Sequence, residues 1–171
     1  MKEIEVKILE VVPSKIRSLL KQNGAKFKKR VFQQNFLYAN DYTSAKNIVV
    51  RIRKEGNNAM FTVKGKAKFS HNHKIRDEYE FSVNYDSAVD MVKTLGFKLI
   101  RSLELKREYY VLKNCSVEIC QLPGIPPYME IEGSQKDIST VTKILNYSNK
   151  SYIAENILKY YKIKVKHLKF I

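Results

Sequence analysis

The sequence predicts an α+β fold: an antiparallel β-barrel closed on itself, with helices packed against its outside. Three observations lead there. The first is the opening stretch Met1-Lys2-Glu3-Ile4-Glu5-Val6-Lys7. In a strand alternate side chains share a face, so Glu3, Glu5 and Lys7 line one wall while Ile4, Val6 and Ile8 bury the other. The second is that this pattern recurs, in Arg51-Ile52-Arg53, in Phe61-Thr62-Val63-Lys64, in Arg76, Glu78 and Glu80, and in Glu130-Ile131-Glu132. One such strand reads as a sheet with a solvated face. Strand after strand with one ionic and one apolar face reads as a barrel that encloses the ionic faces and leaves no sheet edge. The third is a set of helical stretches between the strands that can cover the apolar faces.

In chain order, Pro13 opens a helix with Ile16, Leu19 and Leu20 at helical spacing, and Gly24 stops it. A strand follows from about Phe27 to Tyr38. Asn40-Asp41 reads as a turn, and Glu55-Gly56-Asn57-Asn58 as the turn of a hairpin joining the Arg51–Arg53 and Lys64 strands. Gly65 to Lys74 reads as a polar, basic loop. Asp86 can cap a helix carrying Val89, Val92 and Leu95, ended by Gly96. Strands are expected at Glu104 to Leu112 and Val117 to Leu122, before the break Pro123-Gly124-Ile125-Pro126-Pro127. Ser134 with Asp137 resembles a capping box for a helix carrying Ile138, Val141, Ile144 and Leu145. A last helix is expected near Ser151 to Tyr161, then a solvated basic tail, Lys162 to Lys169. No linker and no solenoid repeat interrupts the chain, so residues 1–171 read as a single domain.

The 171 residues suffice for one substantial core. Lys and Arg number 32 against 17 Asp and Glu, a net +15, which points to an anionic partner without naming it. No apolar run is long enough to span a bilayer, and the charged first strand is not a signal peptide. Cys115 and Cys120 lack partners at zinc-site spacing and read as reduced thiols, so a cytoplasmic protein is expected. No Ser-His-Asp set, Cys-His pair or Gly-rich phosphate loop is present. His71 and His73, two apart in the basic loop, read as solvated or substrate-brushing residues rather than ligands of a transition metal. Tyr109, Tyr110, Tyr160 and Tyr161 read as packing residues.

Paired carboxylates along a strand hold hard divalent cations through oxygen, and a neighbouring lysine can reach a phosphate on such a metal. The order of the ionic motifs narrows this. Glu3-x-Glu5-x-Lys7, Arg51-x-Arg53, Thr62-Val63-Lys64-Gly65, Arg76-Asp77-Glu78-Tyr79-Glu80, Lys106-Arg107-Glu108 and Tyr128-Met129-Glu130-Ile131-Glu132-Gly133 resemble the CYTH family of triphosphate tunnel metalloenzymes over nearly the whole chain. Leu122-Pro123-Gly124-Ile125-Pro126-Pro127-Tyr128 resembles the class IV adenylyl cyclase-like branch. The resemblance implies eight barrel strands, a charged tunnel, a triphosphate small molecule (ATP, tripolyphosphate or thiamine triphosphate) and Mg²⁺ or Mn²⁺, in a monomer or homodimer. It assigns Glu3, Glu5, Glu130 and Glu132 to the metal, with Glu78, Glu80 and Glu118 in support. It assigns Lys7, Arg51, Arg53, Lys64, Arg76 and one of Lys106 and Arg107 to the phosphates. Alternation lets only one of that pair face the tunnel: the pattern favours Lys106, between Glu104 and Glu108, and the family favours an arginine. One departure stands out. Cys120 occupies a position where the family usually carries an aspartate, and a thiol is a poor Mg²⁺ ligand, so either Glu118 substitutes, or the metal site is weakened, or activity has been lost.

Three functions fit these residues: an adenylyl cyclase-like enzyme converting ATP to cyclic AMP and pyrophosphate, a triphosphatase, and a non-catalytic binder of polyphosphate or RNA. The Pro-Gly-Ile-Pro-Pro-Tyr segment favours the first.

Overall fold

In a computed structural model, which describes residues 2–70 and 72–170, the chain forms a closed eight-stranded antiparallel barrel with five helices outside it. The barrel strands are β1 (Lys2–Ile8), β2 (Lys26–Ala39), β3 (Val49–Glu55), β4 (Asn58–Lys64), β6 (His73–Val83), β7 (Lys98–Leu112), β8 (Cys115–Gln121) and β9 (Tyr128–Glu132). They follow one another around the wall as β1-β9-β8-β7-β2-β3-β4-β6, and β6 returns to β1 through Glu3↔Arg76 and Glu5↔Lys74. That last pairing abolishes both edges and turns an open sheet into a tunnel. Among the described residues no helix is long and apolar enough to cross a membrane.

The outward faces form the apolar core. Helix α1 (Pro13–Gln22) has Pro at its first turn and presses fully buried Ile16 and Leu20 onto Val6, Ile8, Val117 and Ile131. Helix α4 (Gln135–Ile144) adds Ile138 and Val141 to the same cluster. Its cap is the expected one, with Ser134 Oγ accepting from the Asp137 amide at 3.1 Å. Helix α3 (Tyr85–Thr94) lays Ala88 and Val92 on Val50, Ile52 and Phe61. The expected hairpin forms, β3 to β4, with Gly56 at φ 57° in its turn.

Several expectations are corrected. Asn40-Asp41 is no mere turn: Asn40 caps a short helix α2 (Asp41–Lys46), exchanging hydrogen bonds with Thr43 as a capping box. Asn84, not Asp86, caps α3, because its carboxamide reaches the Ser87 amide at 3.0 Å. The supposed loop from Gly65 to Lys74 contains a short strand β5 (Lys68–Ser70) and the start of β6, held by backbone pairing that polar side chains do not advertise. The strand expected from Glu104 begins six residues earlier, at Lys98.

The last helix breaks in two. A 3₁₀ turn (Asn149–Ser151) and helix α5 (Ile157–Tyr160) flank an extended piece in which Ile153 exchanges backbone hydrogen bonds with Lys7 at 2.8 and 3.2 Å. The lysines of the basic tail are exposed, as expected, but its backbone is docked on the barrel. Strand β10 (His167–Leu168) runs parallel to β7, Ser102 Oγ lies 2.8 Å from His167 Nδ1, and the Phe170 amide donates to the Glu104 carboxylate at 2.8 Å.

Candidate active site

The inward faces of the eight strands line a cavity of about 340 Å³. Alternation along each strand decides who enters it. On β1 Glu3, Glu5 and Lys7 point in, on β3 Arg51 and Arg53, on β6 Lys74, Arg76, Glu78 and Glu80, on β8 Glu118, and on β9 Tyr128, Glu130 and Glu132. Lys64 enters from β4 and Arg107 from β7. The cavity therefore holds seven carboxylates and seven bases, which cancel formally. The whole +15 excess lies on the rest of the protein.

The charges are wired together. Lys64 Nζ bridges Glu3 at 2.9 Å and Glu78 at 2.8 Å, and Arg76 Nε holds the other Glu3 oxygen at 2.7 Å. Lys7 binds Glu5 at 2.7 Å and lies 3.7 Å from Glu130, while Lys74 meets Glu5 from the opposite strand. Arg107 spans Glu118 at 2.7 Å and Glu130 at 3.1 Å. Arg53 and Arg51 share Glu80 at 2.8 and 3.2 Å, and Thr62 Oγ1 donates to the same carboxylate at 2.6 Å. Pairing on this scale meets the desolvation cost of charges inside a protein. It is still incomplete: the Nε–H groups of Arg51, Arg53 and Arg107 are buried without a hydrogen-bond acceptor among the described residues. Buried donors of this kind are normally satisfied, and an anion with several oxygens would satisfy them.

The titration of the carboxyls divides along the same lines. Burial pushes Glu3 upward, as does Glu5, yet the adjacent Lys64 and Arg76 hold it at about 2. Glu5 is likewise kept well below the ordinary carboxylate range against burial by Lys7 and Lys74. Glu132 goes the other way. Burial and its neighbours Glu3, Glu118, Glu78 and Glu5 raise it to about 7, and no ion pair compensates it among the described residues. Glu118 and Glu78 are also raised, first by burial.

A carboxylate crowded by four others is what a divalent cation would neutralise, and oxygen donors suit a hard cation. The oxygens of Glu118 and Glu130 lie within 4.8 Å of each other and of the Cys120 sulfur. Burial raises the Cys120 thiol well above its ordinary value, so it stays protonated and contributes no oxygen or thiolate. The carboxylates of Glu118 and Glu130, with Glu132 two residues further along β9, thus fit a hard divalent ion.

Thirteen of the fourteen residues singled out from the sequence meet in this one cavity. Lys106 does not. It points outward with its ammonium 4.2 Å from the centre of the Phe170 ring, because the β7 register places Leu105 and Arg107 on the inner face. Glu104 and Glu108, which made Lys106 attractive, are also outside: Glu108 is held by Arg17 and Arg30 at 2.9 Å and by the Tyr110 hydroxyl. Lys74 was missed, although it lies two residues before Arg76 and continues the alternation. Asn35 and Tyr109 also line the cavity and carry no signal in the sequence. His73 is buried beside Tyr152 in an edge-on ring contact, and His71 lies outside the described residues.

A closed barrel whose interior is filled with paired acids and bases defines a tunnel protein for a polyanion, and the comparisons agree. The chain belongs to the CYTH domain family, whose model matches residues 1–161. Members of this family are adenylate cyclase-like or triphosphatase enzymes. A Methanocaldococcus jannaschii protein bearing a provisional adenylate cyclase name is 29% identical over 163 residues, 93% of this chain and 92% of that protein. Among solved structures, a Pyrococcus horikoshii protein superposes with a TM-score of 0.78 at 24% identity, over 92% of this chain and 98% of its own. A Hippeastrum protein, provisionally an adenylyl cyclase and described as having a dominant triphosphatase activity, superposes at 0.67 with 16% identity, over 93% of each chain. Both likenesses are of fold.

Proposed function

We propose that this protein is a divalent-cation-dependent enzyme that binds a nucleoside triphosphate in the barrel tunnel and cleaves it in the manner of an adenylyl cyclase. The observation that carries the reading is the division of the cavity into two chemically different parts. Arg51, Arg53, Arg107, Lys64 and Arg76 line it together with Glu3, Glu78, Glu118 and Glu132. Leu103, Leu105, Leu122, Ile157 and Leu158 line it as well, and along β7 Leu103 and Leu105 precede Arg107. A chain of phosphates matches the first part, and only a substrate with an organic group has a use for the second.

In this reading the guanidinium and ammonium groups exchange their carboxylate partners for phosphate oxygens. They then stabilise charge as it moves onto the leaving pyrophosphate while the ribose 3′-hydroxyl attacks the α-phosphorus. Glu118 and Glu130, with Glu132 beside them, would hold a divalent cation, which would neutralise phosphate oxygens further. Hydrolysis is the second reading. The triphosphatase activity described for the Hippeastrum barrel supports it, since a tunnel of this fold can admit water as the nucleophile.

The test is incubation with ATP and with tripolyphosphate, each with Mg²⁺ and with Mn²⁺, measuring cyclic AMP, pyrophosphate and orthophosphate separately. Cyclic AMP with equimolar pyrophosphate supports the first reading, and orthophosphate release supports the second. Salt-sensitive binding without turnover of either compound overturns both in favour of a polyanion binder.

A further inference from the structure

We propose that Asn35 is the residue that reads the organic end of the substrate, recognising a heterocycle in which an amino group stands beside a ring nitrogen. The inference rests on the reading of the tunnel as a triphosphate site and extends it to the other end of the molecule. Asn35 lies on β2 between two neighbours fixed by register, Arg53 on β3 and Leu103 on β7. It thus stands where the phosphate-binding bases give way to the apolar end. Its side chain lines the cavity, and the residue is 5% exposed.

Among the described residues its carboxamide makes no side-chain hydrogen bond. Other neutral polar groups nearby have side-chain partners, although the Gln33 oxygen is itself buried without one among the described residues. Gln33, two residues earlier, donates to Glu55 and to the Tyr109 hydroxyl, Thr62 donates to Glu80, and the Asn156 carbonyl oxygen caps α5. A carboxamide that faces a cavity with both its oxygen and its NH₂ unclaimed is free to pair with a ligand that answers both.

The complement of a carboxamide is an acceptor and a donor side by side, which adenine presents through its amino group and adjacent ring nitrogen. The aminopyrimidine of thiamine presents the same pair. Leu103, Leu105 and Leu122, closed over by Ile157 and Leu158 of α5, offer such a ring an apolar bed. Inorganic tripolyphosphate has nothing to place there.

The experiment is equilibrium binding with Mg²⁺ to the wild-type protein and to Asn35→Leu and Asn35→Ala. The ligands are the methylene-bridged, uncleavable forms of ATP, purine riboside triphosphate, thiamine triphosphate and tripolyphosphate. The ATP form should lose roughly tenfold to a hundredfold in affinity on either substitution, while the tripolyphosphate form changes little. Purine riboside triphosphate, which lacks the amino group, should bind the wild type as weakly as the ATP form binds the variants. If the thiamine compound alone depends on Asn35, the heterocycle is an aminopyrimidine and the assignment of Asn35 stands.

Equal losses for every ligand, or no loss for any, overturn the assignment of Asn35. Failure of the wild type to bind the tripolyphosphate form overturns the triphosphate reading itself, which separates the two failures. Should both variants unfold, the wild type decides alone: equal affinity for the ATP and purine riboside forms, with the thiamine form bound no more tightly than the tripolyphosphate form, refutes the proposal.

Discussion

Glu132 offers the sharpest test of the metal assignment, because its carboxyl is raised to about 7 by burial and by four neighbouring carboxylates. A carboxyl whose folded value lies above its unfolded one withdraws stability as pH rises through the interval between them, here from about 4.5 to about 7. A cation that binds the ionised form must displace that proton. With half-ionisation near 7, roughly one Glu132 in eleven is ionised at pH 6, so the apparent cation affinity there should be about tenfold weaker than at pH 8. Glu132 keeps one side open to solvent, which screens its neighbours and can only move the midpoint below 7. Calorimetric titration with Mg²⁺ and with Mn²⁺ at pH 6, 7 and 8, in two buffers of different ionisation heat, measures affinity and proton release together. Glu132→Gln should weaken binding at pH 8 and flatten the profile. Affinity that is independent of pH from 6 to 8, or unchanged by the substitution, would refute the reasoning.

Other outcomes follow from the same geometry. Glu3 is held at about 2 by Lys64 and Arg76, so the stability it contributes is complete above about 4.5 and is lost as pH falls toward 2; thermal melting across that range should show it, and Glu3→Gln should remove that part of the dependence. Arg53→Ala and Lys64→Ala should each lower kcat/KM by about tenfold to a hundredfold through charge-assisted contacts to the phosphates. AMP should bind far more weakly than ATP, and equal affinities would contradict a phosphate-chain site. Cys120→Asp, which replaces a neutral thiol beside Glu118 and Glu130 by a third carboxylate, should lower the Mg²⁺ concentration needed for half-maximal rate. An unchanged metal titration would place residue 120 outside the cation's reach, and Glu118→Gln then tests whether Glu118 fills that role.

Much of the tunnel was legible because a strand has a period of two. Once Glu3, Glu5 and Lys7 alternate with Ile4, Val6 and Ile8, their assignment to opposite faces needs no tertiary information. The same holds for Arg51 and Arg53, and for Arg76, Glu78 and Glu80. Where a strand carries charges on both faces the rule gives no answer. At Lys106-Arg107 the acids at 104 and 108 belong to an outer network with Arg17, Arg30 and the Phe170 amide, elements distant in sequence. The local pattern therefore pointed the wrong way.

By itself the sequence determined the barrel class, its ionic interior and the residue types that meet there, since strand periodicity and capping are local properties that neighbouring residues can state. Tertiary structure alone decided four things. It closed β6 onto β1, bringing Glu3 beside Arg76 and Lys74 beside Glu5. It chose Arg107 over Lys106, and it broke the last helix so that Ile157 and Leu158 close the apolar end. It also left the Asn35 carboxamide facing the cavity. Each of these depends on which strand lies next to which and in what register, and no run of adjacent residues contains that information.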